Sequence, residues 1–299
     1  MQDFRMETFL TVCEYMNFTK AANVLGLTQP AVSQQIHFLE QEYGVQLFTL
    51  KGRRIQLTEA GKMLESAALT MKHDEIHLKN KMQQASQSAR EYIFGATLTV
   101  ADYILSPRLV DFQKQHPQSR LHMQVKNTAE LLHKIDSGEL DFAIVEGYFP
   151  KEDYEYLLFR TEDYIPVCSG ASSRKYDGCS LSDLTNEVLI TRERGSGTRE
   201  ILEKILAKHN MDIYDFKSVS EIGSISVIKQ LTAAECGITF LYKAAVQQEI
   251  RKGILQPVLP EGWNYTHDIM FIFRKGSIFK EDYRQIFNAI AERSVKNHE

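Results

Sequence analysis

The chain has 299 residues, 43% hydrophobic and 25% charged, enough for two or three domains with cores of their own. A formal net charge of −4 excludes a protein that is basic throughout, and fits a small basic module carried by a larger acidic body. No charged-then-apolar signal pattern opens it and no apolar run is long enough to span a membrane, so a cytoplasmic protein with no membrane partner is expected.

Met6 to Met16 carries Met6, Phe9, Leu10 and Cys13 at helical spacing, a helix that packs behind the next two. Phe18 to Glu40, FTKAANVLGLTQPAVSQQIHFLE, reads as two helices joined at Gly26, which can take the positive φ of a sharp turn. Ala21 and Ala22 allow close helix approach, and Pro30 suits the first turn of the second helix. Val32, Ile36 and Leu39 face inward, leaving Gln29, Pro30, Ser33, Gln34 and His37 toward solvent. An outer face of amides and hydroxyls without acids suits the DNA major groove, where Gln can bond adenine through N6 and N7. An ordinary αα-hairpin with a polar face has the same pattern. Next comes a β-type run, Val45 to Thr49, a Lys51-Gly52 turn, and alternating Ile55 and Leu57. This wing carries Lys51, Arg53 and Arg54, suited to phosphate or the minor groove.

The run AANVLGLTQPAVSQQIHFLEQEYGVQLF followed by LTEAG resembles the amino-terminal winged helix-turn-helix of LysR-type transcriptional regulators. The small pair, TQPAVS, LE, G, LF and LT-AG stand at the family's spacing. One departure is Leu50, where the family usually has Arg two residues after LF, so the expected wing contacts shift to Arg53 and Arg54. The resemblance implies α/β architecture with an N-terminal winged helix-turn-helix and a two-subdomain, periplasmic-binding-protein-like effector domain. Candidate DNA contacts are Thr28, Gln29, Pro30, Ser33, Gln34, His37, Arg53 and Arg54, and the partner is double-stranded operator DNA.

From Glu59 to about Ala89 there is no proline, and no glycine after Gly61. Leu64, Met71, Leu78 and Ala85 recur every seventh residue, with Ala67, Ala68 and Met82 between them, a repeat that favours pairing with a second helix. The bland alternative is a helix resting on its own body. The resemblance also implies dimerisation here, and a homotetramer is the expected higher assembly. Expected boundaries are 1–58 for the DNA-binding head, 59–90 for the linker and 91–299 for the effector domain.

After a polar exit, Ser86 to Gly95, Thr97 to Ala101 reads as a strand. Ser106 to about Gln115 is a helix, Leu121 to Val125 a strand, Thr128 to Ser137 a helix, and Phe142 to Val145 a buried strand. A second unit has strands at Tyr164–Cys168, Glu187–Ile190, Ser218–Ile222 and Gly237–Leu241. Its helices are Gly197–His209, Ser224–Ala234 and a short one from about Ala244. Thr266 to Phe273 is a strand and Lys280 to Arg293 a closing helix. The alternation indicates a largely parallel α/β sheet. The resemblance adds two chain crossings, near Thr161–Asp163 and Asn264–Thr266, giving subdomain I (91–162 and 265–299) and subdomain II (163–264).

Ligands of such sheets sit beyond the carboxyl ends of the strands, at helix N-termini. Candidates are Ala101, Asp102 and Tyr103 after the first strand, Thr128 beside Asn127, and Glu146 beside Gly147. Arg194-Gly195-Ser196-Gly197-Thr198-Arg199 adds free N–H groups, hydroxyls and charge, with Gly223 in the turn beside it. The candidate effector contacts are thus Ala101, Asp102, Tyr103, Thr128, Glu146, Ser196, Gly197, Thr198, Arg199 and Gly223. A capped helix start that binds nothing would look the same. The effector is read as an amino-acid-like or small anionic metabolite. A zwitterion would set its carboxylate toward Ser196–Arg199 and its ammonium toward Asp102 or Glu146. Direct pairing of Asp102 or Glu146 with Arg192 or Arg194 would need no ligand.

No catalytic set, cofactor motif or metal site is expected. Cys13, Cys168, Cys179 and Cys236 lack metal spacing and read as reduced, mostly buried residues. His73 and His77, one helical turn apart, read as a solvated helix face. A non-enzymatic regulator is therefore expected; the alternatives are a solute-binding module without DNA function, or an enzyme on that scaffold.

Overall fold

The computed structural model describes residues 3–52, 54–84 and 90–291. Arg53, Ala85 and the last turn expected of the closing helix, beyond residue 291, lie outside the described residues. No helix among the described residues is long and apolar enough to cross a membrane.

The head is built from α1 (Phe4–Tyr15), α2 (Phe18–Leu25) and α3 (Gln29–Tyr43). Local chemistry sets these limits. The Asn17 side chain accepts from Lys20 N and that of Thr28 from Ala31 N, capping α2 and α3. Gly26 and Gly44 close the same helices at φ +66° and +68°. Phe9, Val12, Ala21, Ala22, Val32, Ile36 and Leu39 form the core with Leu47 and Ala68. The wing pairs β1 (Phe48–Lys51) antiparallel with β2 (Arg54–Leu57). Its first strand starts later than the expected Val45, because Val45 N bonds back to Glu40 O in closing α3.

Helix α4 (Glu59–Gln84) is 26 residues long, about 39 Å at helical rise. Thr58 Oγ1 accepts from Gly61 N at its start and donates to Gln46 O. Along its length α4 lies on the larger body of its own chain. The buried Arg274 donates to Ser66 O and Asp136 Oδ1, at 3.0 and 2.8 Å. Asp74 accepts from Ser277 Oγ and Ile278 N. His73 Nε2 lies 3.2 Å from Leu140 O, and His77 Nδ1 lies 2.6 Å from Asp141 Oδ1. The expectation of a solvated histidine face is therefore corrected: His73 is buried and His77 half-buried, and both are held by polar groups of the body. Met63, Met71, Leu78 and Met82 of α4 are exposed, while Leu64 and Ala68 pack into the head.

In the body, β3 (Glu91–Ala96) pairs parallel with β4 (Arg120–Val125) and β5 (Phe142–Val145). The expected strand at Thr97–Ala101 is corrected. The strand ends at Ala96, and Val100–Leu105 forms a π-helical turn leading into α5 (Ser106–Gln115). The polar exit is shortened accordingly, since Glu91 already belongs to β3. Helix α6 (Thr128–Asp136) follows β4 through a capping box between Asn127 and Glu130.

Strand β6 (Tyr154–Ser169) runs through both halves. Tyr154 to Asp163 pairs antiparallel with β11 (Thr266–Arg274), so the sheet is mixed rather than nearly all parallel. From Tyr164 onward the partners are β9 (Thr239–Tyr242) and β10 (Leu255–Pro257). The change of partner between Asp163 and Tyr164 marks where the chain leaves one half for the other. The second half adds β7 (Val188–Thr191) parallel to β8 (Ser218–Glu221), with α7 (Gly197–Lys208), α8 (Ile225–Ala233) and α9 (Lys243–Arg251). Helix α10 (Lys280–Ile290) closes the first half. Separate cores around Phe94, Phe142 and Phe271, and around Tyr164, Leu202 and Phe240, make the halves distinct units.

Candidate nucleic-acid interface and inter-subdomain cleft

On α3, Thr28, Gln29, Pro30, Gln34 and His37 are exposed and Ser33 half-buried, opposite the buried Val32, Ile36 and Leu39. Gln29 Nε2 donates to Ser33 Oγ at 2.8 Å, and Gln41 Nε2 lies 3.0 Å from His37 Nε2, so the polar groups are pre-ordered along one face. Thr8 Oγ1 donates to Gln35 Oε1, locking α3 against α1. Glu40 Oε1 accepts from Leu47 N at 2.8 Å and also lies within reach of Phe48 N, fixing the wing beside the outer face of α3. Arg54 is exposed at the wing's second strand.

The second site is a cavity of about 260 Å³ between the two halves. It lies beyond the carboxyl ends of β3, β4, β5, β7 and β8, lined among others by Thr97, Asn127, Glu146, Arg192, Ser196 and Gly223. Glu146, following β5, is 2% exposed. Its Oε2 accepts from Thr97 Oγ1 at 2.7 Å, and its Oε1 from Thr198 Oγ1 at 3.0 Å and Thr99 Oγ1 at 3.3 Å. Burial pushes the carboxyl above the usual carboxylate range; the hydroxyls of Thr97, Thr198 and Thr99 and the nearby Arg192 work against that rise. His267 Nε2 donates to the backbone carbonyl of the same residue at 2.5 Å, and burial lowers the pKa of that imidazole.

Arg192 is buried and makes a bidentate pair with Glu193, both bonds 2.8 Å. Its Nη1 is buried with no hydrogen-bond partner among the described residues. Ser196 sits at the N-cap of α7 with no side-chain cap bond, so the first N–H groups there are open to an acceptor.

Several expected effector residues stand elsewhere. Ala101 is buried, Asp102 exposed and Tyr103 half-buried between two cores, all on the π-helical turn, and none lines the cavity. The cause is the earlier end of β3, which puts Thr97 and Leu98 at the strand terminus instead. Arg199 is also corrected as a free cation. Its Nε donates to Glu203 at 2.7 Å and its Nη1 to Glu221 and Arg192 O. Arg194 Nη2 donates to Tyr214 OH, outside the cleft. Direct pairing of Glu146 with Arg192 or Arg194 is likewise absent from its bonds, which go to three threonines. Thr128 is buried against Gly147, with Oγ1 unpartnered among the described residues. Ser196, Gly197, Gly223 and Glu146 line the cavity, and Thr198 touches it through Glu146. Sequence reasoning does not single out Thr97, Thr99 or the cleft role of Arg192. The Thr-x-Thr pair directly after the apolar stretch Tyr92–Ala96 is the signal that points to the first two.

A small head with an outward amide face, a long linker helix and two α/β halves around a cleft define a ligand-responsive DNA-binding regulator. The chain belongs to the LysR family: residues 85–294 match the family model described as LysR substrate binding domain, and residues 4–62 match the bacterial regulatory helix-turn-helix protein of the lysR family. It is similar to the HTH-type transcriptional regulator CysL of Bacillus subtilis, 29% identical over 82% of both chains. It is also similar to a probable RuBisCO transcriptional regulator of Cyanidium caldarium, 30% identical over 81% of this chain and 78% of that one. Among solved structures, CbnR, a LysR family transcriptional regulator, aligns over 98% of this chain and 100% of its own with TM-score 0.55 at 19% identity. Oxidised OxyR of Corynebacterium glutamicum aligns over 96% and 90% with TM-score 0.52 at 23% identity. The chain is thus a DNA-binding transcriptional regulator with an effector-binding domain.

Proposed function

We propose that this chain is a cytoplasmic, non-enzymatic regulator that binds operator DNA as a homodimer and responds to a small anion in the inter-subdomain cleft. On the DNA side, Gln29, Ser33 and Gln34 read base edges, with Thr28, Pro30 and His37 flanking them, while Arg53 and Arg54 sit on phosphate. The outward face of α3 supports this reading, with Gln29, Pro30, Gln34 and His37 exposed and the nearby acid Glu40 turned to the wing backbone at Leu47 N. The exposed stripe Met71, Leu78 and Met82 on α4 supports pairing of two linkers. Two heads then meet two half-sites.

The single observation that carries the effector class is Arg192 Nη1, a buried cationic donor without an acceptor among the described residues. Leaving such a donor unmade is costly, and a ligand carboxylate or other oxyanion would satisfy it. A zwitterion is disfavoured, because Asp102 is absent from the cavity and Glu146 already accepts three bonds. A thermal-shift screen compares small mono- and dicarboxylates and inorganic oxyanions with amines of matched size. Anions should raise the midpoint of the full chain, and Arg192→Met should abolish the response. A response to amines alone would contradict the assignment. Light scattering of the full chain reads the assembly, dimer or tetramer, and Met71→Glu with Leu78→Glu should shift it to monomer.

A further inference from the structure

A buried carboxylate of the cleft belongs to the protein itself. Three hydroxyls converge on one carboxylate, and they come from both halves. Thr97 and Thr99 follow β3 in the first half, while Thr198 stands in the first turn of α7 in the second. All three threonines are buried, and Thr99 Oγ1 and Thr198 Oγ1 lie 3.2 Å apart across the boundary. A carboxylate among hydroxyl donors beside a buried arginine is the arrangement expected of a receptor holding an acidic ligand. Packing holds the acceptor in place. A Cβ on Gly197 would come within 3.0 Å of Glu146 Cγ and 3.3 Å of Gly147 Cα, so α7 closes directly on this residue.

We propose that Glu146 is a built-in carboxylate ligand. It fills a three-threonine receptor that spans the cleft, ties the two halves together without effector, and confines any incoming anion to Arg192. The idea deepens the reading of the cleft as an effector site, since it concerns the same cavity, but it needs no DNA target. The receptor then exists as such, and removing the side chain exposes it. Glu146→Ala opens a space lined by three hydroxyls with the volume of a small carboxylate. Glu146→Gln keeps the space filled.

The test measures thermal unfolding of the full chain in sodium acetate or formate against sodium chloride of equal ionic strength. Glu146→Ala should start from a lower midpoint than wild type and gain at least about 2 °C in acetate or formate. Wild type and Glu146→Gln should gain only what the Arg192 site supplies, so the gain of Glu146→Ala should exceed both. Equal gains in all three, or none in a folded Glu146→Ala, would overturn the proposal, because a side chain of purely structural value is not replaced by a free ion. Should Glu146→Ala fail to fold, Thr198→Val keeps the carboxylate and deletes its donor from the second half. Hydrogen exchange should then rise at the start of α7 and the end of β5. Unchanged exchange there would equally overturn it. Absence of specific DNA binding would sink the regulator reading while leaving these measurements standing.

Discussion

At the scale of single residues, the positions that matter are those where the backbone or a buried polar atom has one solution. Gly61 is such a position. A Cβ there would fall 2.2 Å from Leu47 O and 2.8 Å from a Leu57 methyl, so the helix start touches the wing backbone directly. Gly61→Ala should therefore destabilise the head by roughly 1–3 kcal/mol, read as a lower unfolding midpoint. An unchanged midpoint would mean that this contact is not made. The LT-AG motif is legible in sequence for this reason: Thr58 caps, and Gly61 lets Leu47 approach. The cleft is less legible. Thr97, Thr99 and Val100 look like β-branched strand residues, but the hydroxyls are committed to Glu146 and the chain has already turned. The true strand is masked by its own Gly95. That glycine is there since a Cβ would lie 2.2 Å from a Leu131 methyl, a tertiary demand that local pattern does not carry.

At the scale of elements, the linker helix is a clasp as well as a rod. Asp74 on α4 holds Ser277 Oγ and Ile278 N beside His73. Burial would raise its pKa, but the bonds from His73, Ser277 and Ile278 prevail and hold it below the ordinary 3.8. A lowered carboxyl contributes stability that is present above the unfolded value and lost as pH falls through the folded one. The midpoint difference between wild type and Asp74→Asn should thus be constant at neutral pH and shrink as pH falls below 3.8. A difference that widens with acidification would contradict this role. The helix itself is plain from sequence, as is its seven-residue stripe. Which polar residues it buries is not: His73 and His77 resemble solvent-facing side chains until Leu140 O and Asp141 meet them from a distant part of the chain. Likewise the first ten residues of β6 are broken by Glu155, Arg160, Glu162 and Asp163. They form a strand only because β11 pairs with them.

At the scale of the whole molecule, β5 connects the two sites. Asp141 stands just before it and bonds His77 of the linker, while Glu146 stands just after it and fills the cleft receptor. This strand is four residues long and buried throughout. An anion that prefers one pose of the halves would bias that strand, and through α4 the separation of two heads in a dimer. Such coupling matters only if the heads read sequence, which is the claim everything else serves. It is tested most directly by the ratio of specific to non-specific DNA affinity of the full chain, measured across salt concentrations, for wild type, Gln29→Ala with Ser33→Ala, and Arg54→Ala. The account predicts that the double variant collapses the ratio while non-specific affinity and salt slope stay put. Arg54→Ala should weaken both affinities and flatten the slope. A double variant that retains the wild-type ratio would contradict the account.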